Sequence, residues 1–271
     1  MTEVFGVLNV TPDSFSDGGE HDTVDAALAH ARRLVADGAD WIDVGGESTA
    51  PGVAEITSGE EQRRIIPVIR ELAAEGIRVS VDTFRAATAV AAVEAGARLI
   101  NDVYGRDPDM PAAVRASGAD YLIMHSFGAP TTPARYDDVV ADVAAELARR
   151  VDALVAAGID PERLAVDPGL GFSKQPAENW ALIDGLDAIA ALGRPVLVGA
   201  SRKRFVRALV GAERVDLDAA TAAISLRAAQ LGAWAVRVHD VRSTRAALAV
   251  HEATAAAAAG TPLPVLETTA R

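Results

Sequence analysis

Cysteine is absent from all 271 residues, which excludes disulfides, thiolate metal sites and cysteine nucleophiles together. Positive charge is scarce: 26 Lys and Arg stand against 38 Asp and Glu, for a net charge of −12. That balance argues against a nucleic-acid partner or an anionic membrane surface, while leaving room for one small anion in a locally basic pocket. No apolar run is long enough to span a bilayer, and Met1-Thr-Glu-Val lacks the basic start of a signal peptide. The expected location is therefore the cytoplasm. Neither a P-loop nor an HExxH sequence occurs, and Gly169-Leu-Gly171 is too short a fragment to suggest a dinucleotide site.

What the chain does have is a repeated event. Val4 to Leu8 reads as a short buried strand that stops at Asn9 and gives way to a loop through Gly18-Gly19. Val24, Ala27, Leu28, Ala31, Leu34 and Val35 then recur at helical spacing, and Gly38 closes that helix. The same alternation continues to the end. Strands are predicted at Trp41 to Val44, Ile77 to Val81, Arg98 to Ile100, Asp120 to Met124, Leu164 to Val166, Pro195 to Val198 and Ala233 to Val238. Helices are predicted between them, among them Arg85 to Ala95, a long one stopping at Gly158, Glu178 to Leu192 and Leu217 to Leu231. Ser58 and Glu61 read as a capping box, with a kink at Pro67 in the helix that follows.

Alternating strands and helices imply a parallel sheet, and about eight such units with no linker imply one closed (β/α)8 TIM barrel. A doubly wound open sheet is the alternative. Residues 1–258 are assigned to the barrel and 259–271 to a C-terminal tail.

Active sites of such barrels lie at the carboxyl ends of the strands. Those ends carry Asn9, Asp43, Asp82, Asn101, His125, Asp167, Lys203, and Arg237 with His239. A single Asp or Asn after a strand is commonly a turn or cap residue, and Asp43 is expected to serve that way at the Gly45-Gly46 turn. So many on one rim would leave costly unpaired groups without a ligand. Asp82, Asn101 and Asp167 suit the donor-rich edge of a flat nitrogen heterocycle. Lys203, Arg237 and His239 suit phosphate oxygens. Arg202 and Arg204 are expected to stay in water.

The motifs Asn9-Val-Thr-Pro-Asp-Ser-Phe-Ser-Asp-Gly-Gly19, Ile42-Asp-Val-Gly-Gly-Glu-Ser-Thr49, Asp167-Pro-Gly-Leu-Gly-Phe172, Gly199-Ala-Ser-Arg-Lys203 and Arg237-Val-His-Asp240 come in an order and spacing that resembles the dihydropteroate synthases. The resemblance covers essentially the whole chain. It implies a homodimeric barrel that joins 4-aminobenzoate to 7,8-dihydropterin-6-ylmethyl diphosphate and releases pyrophosphate. By position, Asp82, Asn101, Asp167 and Lys203 would bind the pterin, with Met124 packing on its ring. Asn9 would hold Mg2+ on the diphosphate, and Thr49, Arg237 and His239 would contact the phosphates. Phe15, Thr49, Pro51, Phe172, Ser201 and Lys203 would shape the aminobenzoate pocket. A catalytically impaired pterin-binding paralogue and a corrinoid-linked methyltransferase domain are the competing readings. The chain departs from the family pattern at one place, where Glu47-Ser-Thr-Ala-Pro-Gly52 carries Ala50 instead of an arginine. Arg135, in a neighbouring loop, is a candidate replacement for that cation.

Overall fold

The computed structural model describes residues 1–11, 20–47, 55–128, 132 and 134–262. Eight strands form one parallel sheet: β1 (Glu3–Asn9), β2 (Trp41–Gly45), β3 (Val79–Asp82), β4 (Leu99–Asp102), β5 (Asp120–Met124), β6 (Leu164–Asp167), β7 (Leu197–Val198) and β8 (Ala235–Val238). The hydrogen-bonded order runs β6-β5-β4-β3-β2-β1-β8-β7. A single bridge between Val166 and Val196 joins the two ends, with Val166 N–H donating to the Pro195 carbonyl at 2.9 Å. The sheet is thus a closed barrel, as predicted, with its weakest seam between β6 and β7.

The helices among the described residues fill the outside: α1 (Glu20–Ala36), α2 (Ser58–Ala74), α3 (Ala86–Glu94), α4 (Met110–Ser117), α5 (Val139–Ala156), α6 (Pro176–Asp184), α7 (Leu186–Ala190), α8 (Arg204–Val210), α9 (Arg214–Gln230) and α10 (Val241–Ala259). None is long and apolar enough to cross a membrane. Gly260 caps α10 in the left-handed conformation, and residues 263–271 of the expected tail lie outside the described residues.

Strand alternation divides the apolar residues into two cores. Val4, Leu8, Ile42, Val44, Val79, Val81, Ile100 and Ile123 face the helices. Phe5, Trp41, Leu99, Leu122, Ala165, Leu197 and Ala235 form a separate cluster that plugs the inside of the barrel, with Phe5 stacked on Trp41 at 5.2 Å. The next inward positions of the same strands, nearer their carboxyl ends, are the polar ones discussed below.

Two local expectations are corrected. The cap of α2 is Thr57, whose hydroxyl accepts from Glu60 N–H at 3.2 Å, so Ser58 and Glu61 form no capping box. Ser58 instead meets the Thr88 hydroxyl at 3.0 Å. Glu61 is buried one turn into the helix, where it accepts from Thr88 (2.7 Å), Thr83 (3.1 Å) and Arg85 (3.2 Å). A carboxylate with three donors beneath the sheet edge is held more strongly than one reaching back to an exposed cap. The predicted helix Glu178 to Leu192 is two helices, α6 and α7, meeting at Gly185. A Cβ there would lie 2.9 Å from both methyls of Val140, so α5 passes too close for any other residue. Pro67 is accommodated inside α2 without ending it.

Glu61→Ala would remove the buried acceptor shared by Thr83, Thr88 and Arg85, although Arg85 keeps Glu47 and the Ile56 carbonyl, and is expected to cost roughly 2–3 kcal/mol in urea unfolding. Thr57→Ala is expected to cost only about 1 kcal/mol. The reverse order would refute this assignment of the cap and of the buried carboxylate.

Candidate active site

Register brings the site together before any side chain is considered. Asn9 pairs with Gly45, Gly45 with Asp82, and Asp82 with Asn101, so four neighbouring strands end at one level. Met124 pairs with Asp167 across β5 and β6. Asn9, Asp43, Asp82, Asn101, Met124, Asp167 and Arg237 all occupy inward positions by the same alternation that placed Phe5 and Leu99 inside. With Gly199, Ser201, Lys203, Phe172 and His239, most of them line one cavity of about 280 Å³ at the carboxyl end of the barrel.

Its centre is an arginine between carboxylates. Arg237 Nε donates to Asp43 at 2.5 Å, and Nη2 donates to Asp82 at 2.7 Å. Asn101 adds a bond from its amide to the same Asp43 oxygen at 3.3 Å. Asp43 is fully buried and so is not a turn residue. Position 43 alternates inward with Trp41 and Gly45, which puts the carboxylate under the guanidinium instead of against the Gly45-Gly46 backbone. One cation between buried Asp43 and half-buried Asp82 leaves an excess negative charge at the base of the cavity. Burial accordingly raises the Asp82 carboxyl to about 7, an effect that Arg237 opposes and Asp43 reinforces.

The opposite wall is the loop after β6. Asp167 accepts from Gly169 N–H at 2.6 Å, and burial raises its carboxyl above the ordinary value despite Lys203 nearby. Gly171 has φ of +80°, and a Cβ there would sit 2.8 Å from Lys203 Cδ, so glycine is required for the loop to lie on that side chain. Lys203 donates to the Leu170 carbonyl and stands 4.9 Å over the Phe172 ring. Desolvation lowers its ammonium to about 8, with Asp167 opposing. Gly199 lines the floor, where the Cβ of another residue would sit in ordinary contact, 3.7–3.9 Å, with Asp167, Arg237 and Lys203.

On the third side, Ser201 Oγ accepts the His239 backbone N–H at 3.1 Å and lies 2.9 Å from His239 Nδ1. With its lone pair engaged by the backbone, the hydroxyl donates to Nδ1, which assigns the imidazole proton to Nε2. Burial, with Arg237 and then Arg202 nearby, lowers His239 to about 3, so the ring is neutral and still carries an N–H donor. Arg202 and Arg204, expected in water, also border the cavity, and Arg202 is turned with φ of +57° to pair with Asp218 at 2.8 Å. That left-handed turn aims its neighbour Lys203 inward.

One rim residue is not part of this cavity. His125 follows inward-facing Met124, so strand alternation turns it outward, where its Nδ1 lies 3.0 Å from Lys174 Nζ. Arg135 is on that side too, beside Phe127 and Tyr136. Phe15, Thr49, Pro51 and Ala50 lie outside the described residues. Sequence reading missed Glu47, which borders the cavity and pairs with Arg85 at 2.7 Å, and it missed Lys174. The signal for Glu47 was its place directly after the β2 turn; Lys174 had none beyond closing the Gly-rich loop.

The pterin binding enzyme family matches residues 5–239. The dihydropteroate synthase of Mycobacterium leprae is 50% identical over 260 residues, covering 92% of this chain and 92% of that protein. That of Bacillus subtilis is 42% identical over 248 residues, covering 89% and 84%. Among solved structures, Xanthomonas albilineans dihydropteroate synthase with 4-aminobenzoic acid superposes with a TM-score of 0.89 at 48% identity, covering 94% of this chain and 93% of that one. The same enzyme in complex with 7,8-dihydropteroate gives 0.86 at 46%, covering 94% of each. The chain belongs to the pterin-binding enzyme family, among the dihydropteroate synthases.

The histidines give the fold a pH dependence. Folded His239 and His125 both sit at about 3, below the unfolded value near 6.5. The unfolded chain therefore binds protons that the fold does not, and stability is lost as pH falls from about 6.5 toward 3. Each such histidine contributes a slope of up to about 1.4 kcal/mol per pH unit. Raised Asp82 acts oppositely, its contribution fading as pH rises from about 4 through 7. In urea unfolding, His239→Gln is expected to lose stability more gently than the parent between pH 6.5 and 4. Parallel curves for the two proteins would contradict the buried neutral imidazole.

Proposed function

We propose that this chain is a transferase of folate biosynthesis, joining 7,8-dihydropterin-6-ylmethyl diphosphate to 4-aminobenzoate to give 7,8-dihydropteroate and pyrophosphate. The observation that carries this reading is the single mouth in which Asp82, Asn101 and Asp167 meet Lys203, Arg237 and His239. Solved relatives that hold 4-aminobenzoic acid or 7,8-dihydropteroate support it.

The pterin's amino and ring N–H groups would donate to Asp82 and Asp167, and Asn101 and Lys203 would complete its edge. Met124 would pack on the flat ring; it is buried in one apolar cluster with Phe84, Val103 and Phe172. As the pterin engages Asp82, Arg237 keeps its Nε bond to Asp43 and its other nitrogens turn to the diphosphate. The Nε2–H of His239 faces the same anion. These donors stabilise the charge that grows as the C–O bond to diphosphate breaks, leaving a methylene cation that the electron-rich pterin delocalises. The arylamine, unprotonated at neutral pH, then attacks that carbon and loses its proton to solvent. No strong base is needed, so the side chains contribute position and field. Phe15, Thr49, Pro51, Phe172 and Ser201 are assigned to the aminobenzoate side.

Among the described residues no three acidic or histidine side chains converge as a metal cage. A Mg2+ delivered on a diphosphate does not require one, because it keeps water and phosphate oxygens and takes one or two protein ligands. Asn9, with its amide on the cavity rim, fits that donor set. Bound there, the ion would supply charge neutralisation at the leaving oxygens. A homodimer in the cytoplasm completes the proposal.

The test is pyrophosphate release from the pterin diphosphate, measured with and without 4-aminobenzoate. Amine-dependent release is expected, and pterin binding without release would instead indicate an impaired paralogue. Because Ala50 removes a charge-assisted contact worth about 1.5–3 kcal/mol, Ala50→Arg is expected to accelerate turnover by about one to two decades. Unchanged kinetics for both substrates would show that the missing arginine has no consequence here.

A further inference from the structure

Outside the cavity, just after Phe172, lies a half-buried lysine with no part in the chemistry above. Lys174 Nζ is 3.0 Å from His125 Nδ1, 3.1 Å from the Gly169 carbonyl and 3.1 Å from the Phe172 carbonyl. An ammonium has three donors and no acceptor, and it meets three acceptors here. The match assigns His125 as the neutral tautomer protonated on Nε2, an atom that is buried without a partner.

What the ammonium ties down is the loop that builds the pocket. Gly169 has φ of +68°, and a Cβ there would stand 1.9 Å from the His125 carbonyl oxygen, so the loop rests directly on the end of β5. Between the two bonded carbonyls lie Leu170, whose own carbonyl takes Lys203, and Gly171, whose N–H donates to Asn179 at 2.6 Å. Phe172 forms the ring face under Lys203. Arg150 braces the other partner by donating to the Met124 and Ser126 carbonyls at 3.0 and 2.9 Å.

We infer that Lys174 is a positioning residue for pterin binding: bonded to His125 and to both ends of the Gly169–Phe172 loop, it holds Phe172 and the Leu170 carbonyl in place. This inference rests on the proposed function for its ligand but not for its geometry. The groups facing Lys174 are Asp167 and Glu178, which favour its charge, and Lys203 and Arg150, which oppose it; Tyr136 lies 6.0 Å away and donates to the Ser173 carbonyl. His125 is faced by Lys174, Arg150 and Glu146. Burial is the largest influence and brings Lys174 to about 7, so the third donor is lost as pH rises through neutrality.

The experiment is equilibrium binding of 7,8-dihydropterin-6-ylmethyl diphosphate to the full chain from pH 6 to 9. Pyrophosphate release is measured in parallel. Lys174→Met is expected to weaken binding about tenfold at pH 6, the equivalent of one bond to a charged donor, and by a factor of two or less at pH 9. An unchanged dissociation constant at pH 6, or a ratio that does not vary with pH, would overturn the inference. Should that variant not fold, His125→Asn, which keeps an acceptor near the Nδ1 position, is expected to bind within about twofold of the parent. His125→Leu is expected to bind about fivefold more weakly. Equal binding by the two would overturn the inference as well. A parent chain that binds the pterin but releases no pyrophosphate would count against the proposed function alone.

Discussion

The barrel mouth is organised by one half-buried guanidinium. Arg237 comes from β8 and ties together Asp43 of β2 and Asp82 of β3, with Asn101 of β4 joined through Asp43. These strands are neighbours or near-neighbours around the barrel, so the ion pairs brace the same staves that present the site. Such a cluster is costly to bury, and apolar residues of similar volume would pack the interior at least as stably. Its retention above a dry plug of Phe5, Trp41 and Leu99 points to recognition as its purpose. Two carboxylates sharing one cation have acceptor capacity left over, and a heterocycle edge rich in N–H donors can use it.

The remaining walls show how little of the site depends on flexible side chains. Gly171 is the absence of a side chain where Lys203 must lie. Lys203 is held by a carbonyl, a carboxylate and a ring face, and His239 by a serine hydroxyl that fixes its tautomer. A reaction that proceeds by departure of diphosphate needs a fixed field more than a moving proton, and that is what this arrangement supplies. Lys174 extends the same logic one layer back, where a half-buried ammonium ties both ends of the loop to His125.

Much of this was legible in the residue order. Strand alternation with short apolar runs fixed eight units, and a parallel sheet of eight closes on itself. The same period of two explains which polar residues enter the mouth: Asn101 turns inward, whereas Asp102 turns outward to Tyr121 at 2.9 Å. It also explains the misplacement of His125, since a residue one step beyond Met124 must face away. What local sequence could not convey was pairing at long range. Nothing near position 43 indicates a partner 194 residues later, so Asp43 resembled a turn carboxylate. Glu61 fitted a capping pattern whose geometry was lost to stronger partners in the next strand and helix. The glycine at 185 reflects Val140 of another helix, which no reading of the segment itself contains.

The central claim is that Arg237 and Asp43 act as one unit at the mouth. It is tested most directly by a double-mutant cycle in urea unfolding with Asp43→Asn, Arg237→Met and the two combined. The account predicts that Arg237→Met costs about 3 kcal/mol or more, because it leaves Asp43 and Asp82 without their cation, and that Asp43→Asn costs less, because Arg237 keeps Asp82. The pair together should then be at least about 2 kcal/mol less destabilising than the sum of the single effects. Additive losses would contradict it, leaving the mouth a set of independent side chains.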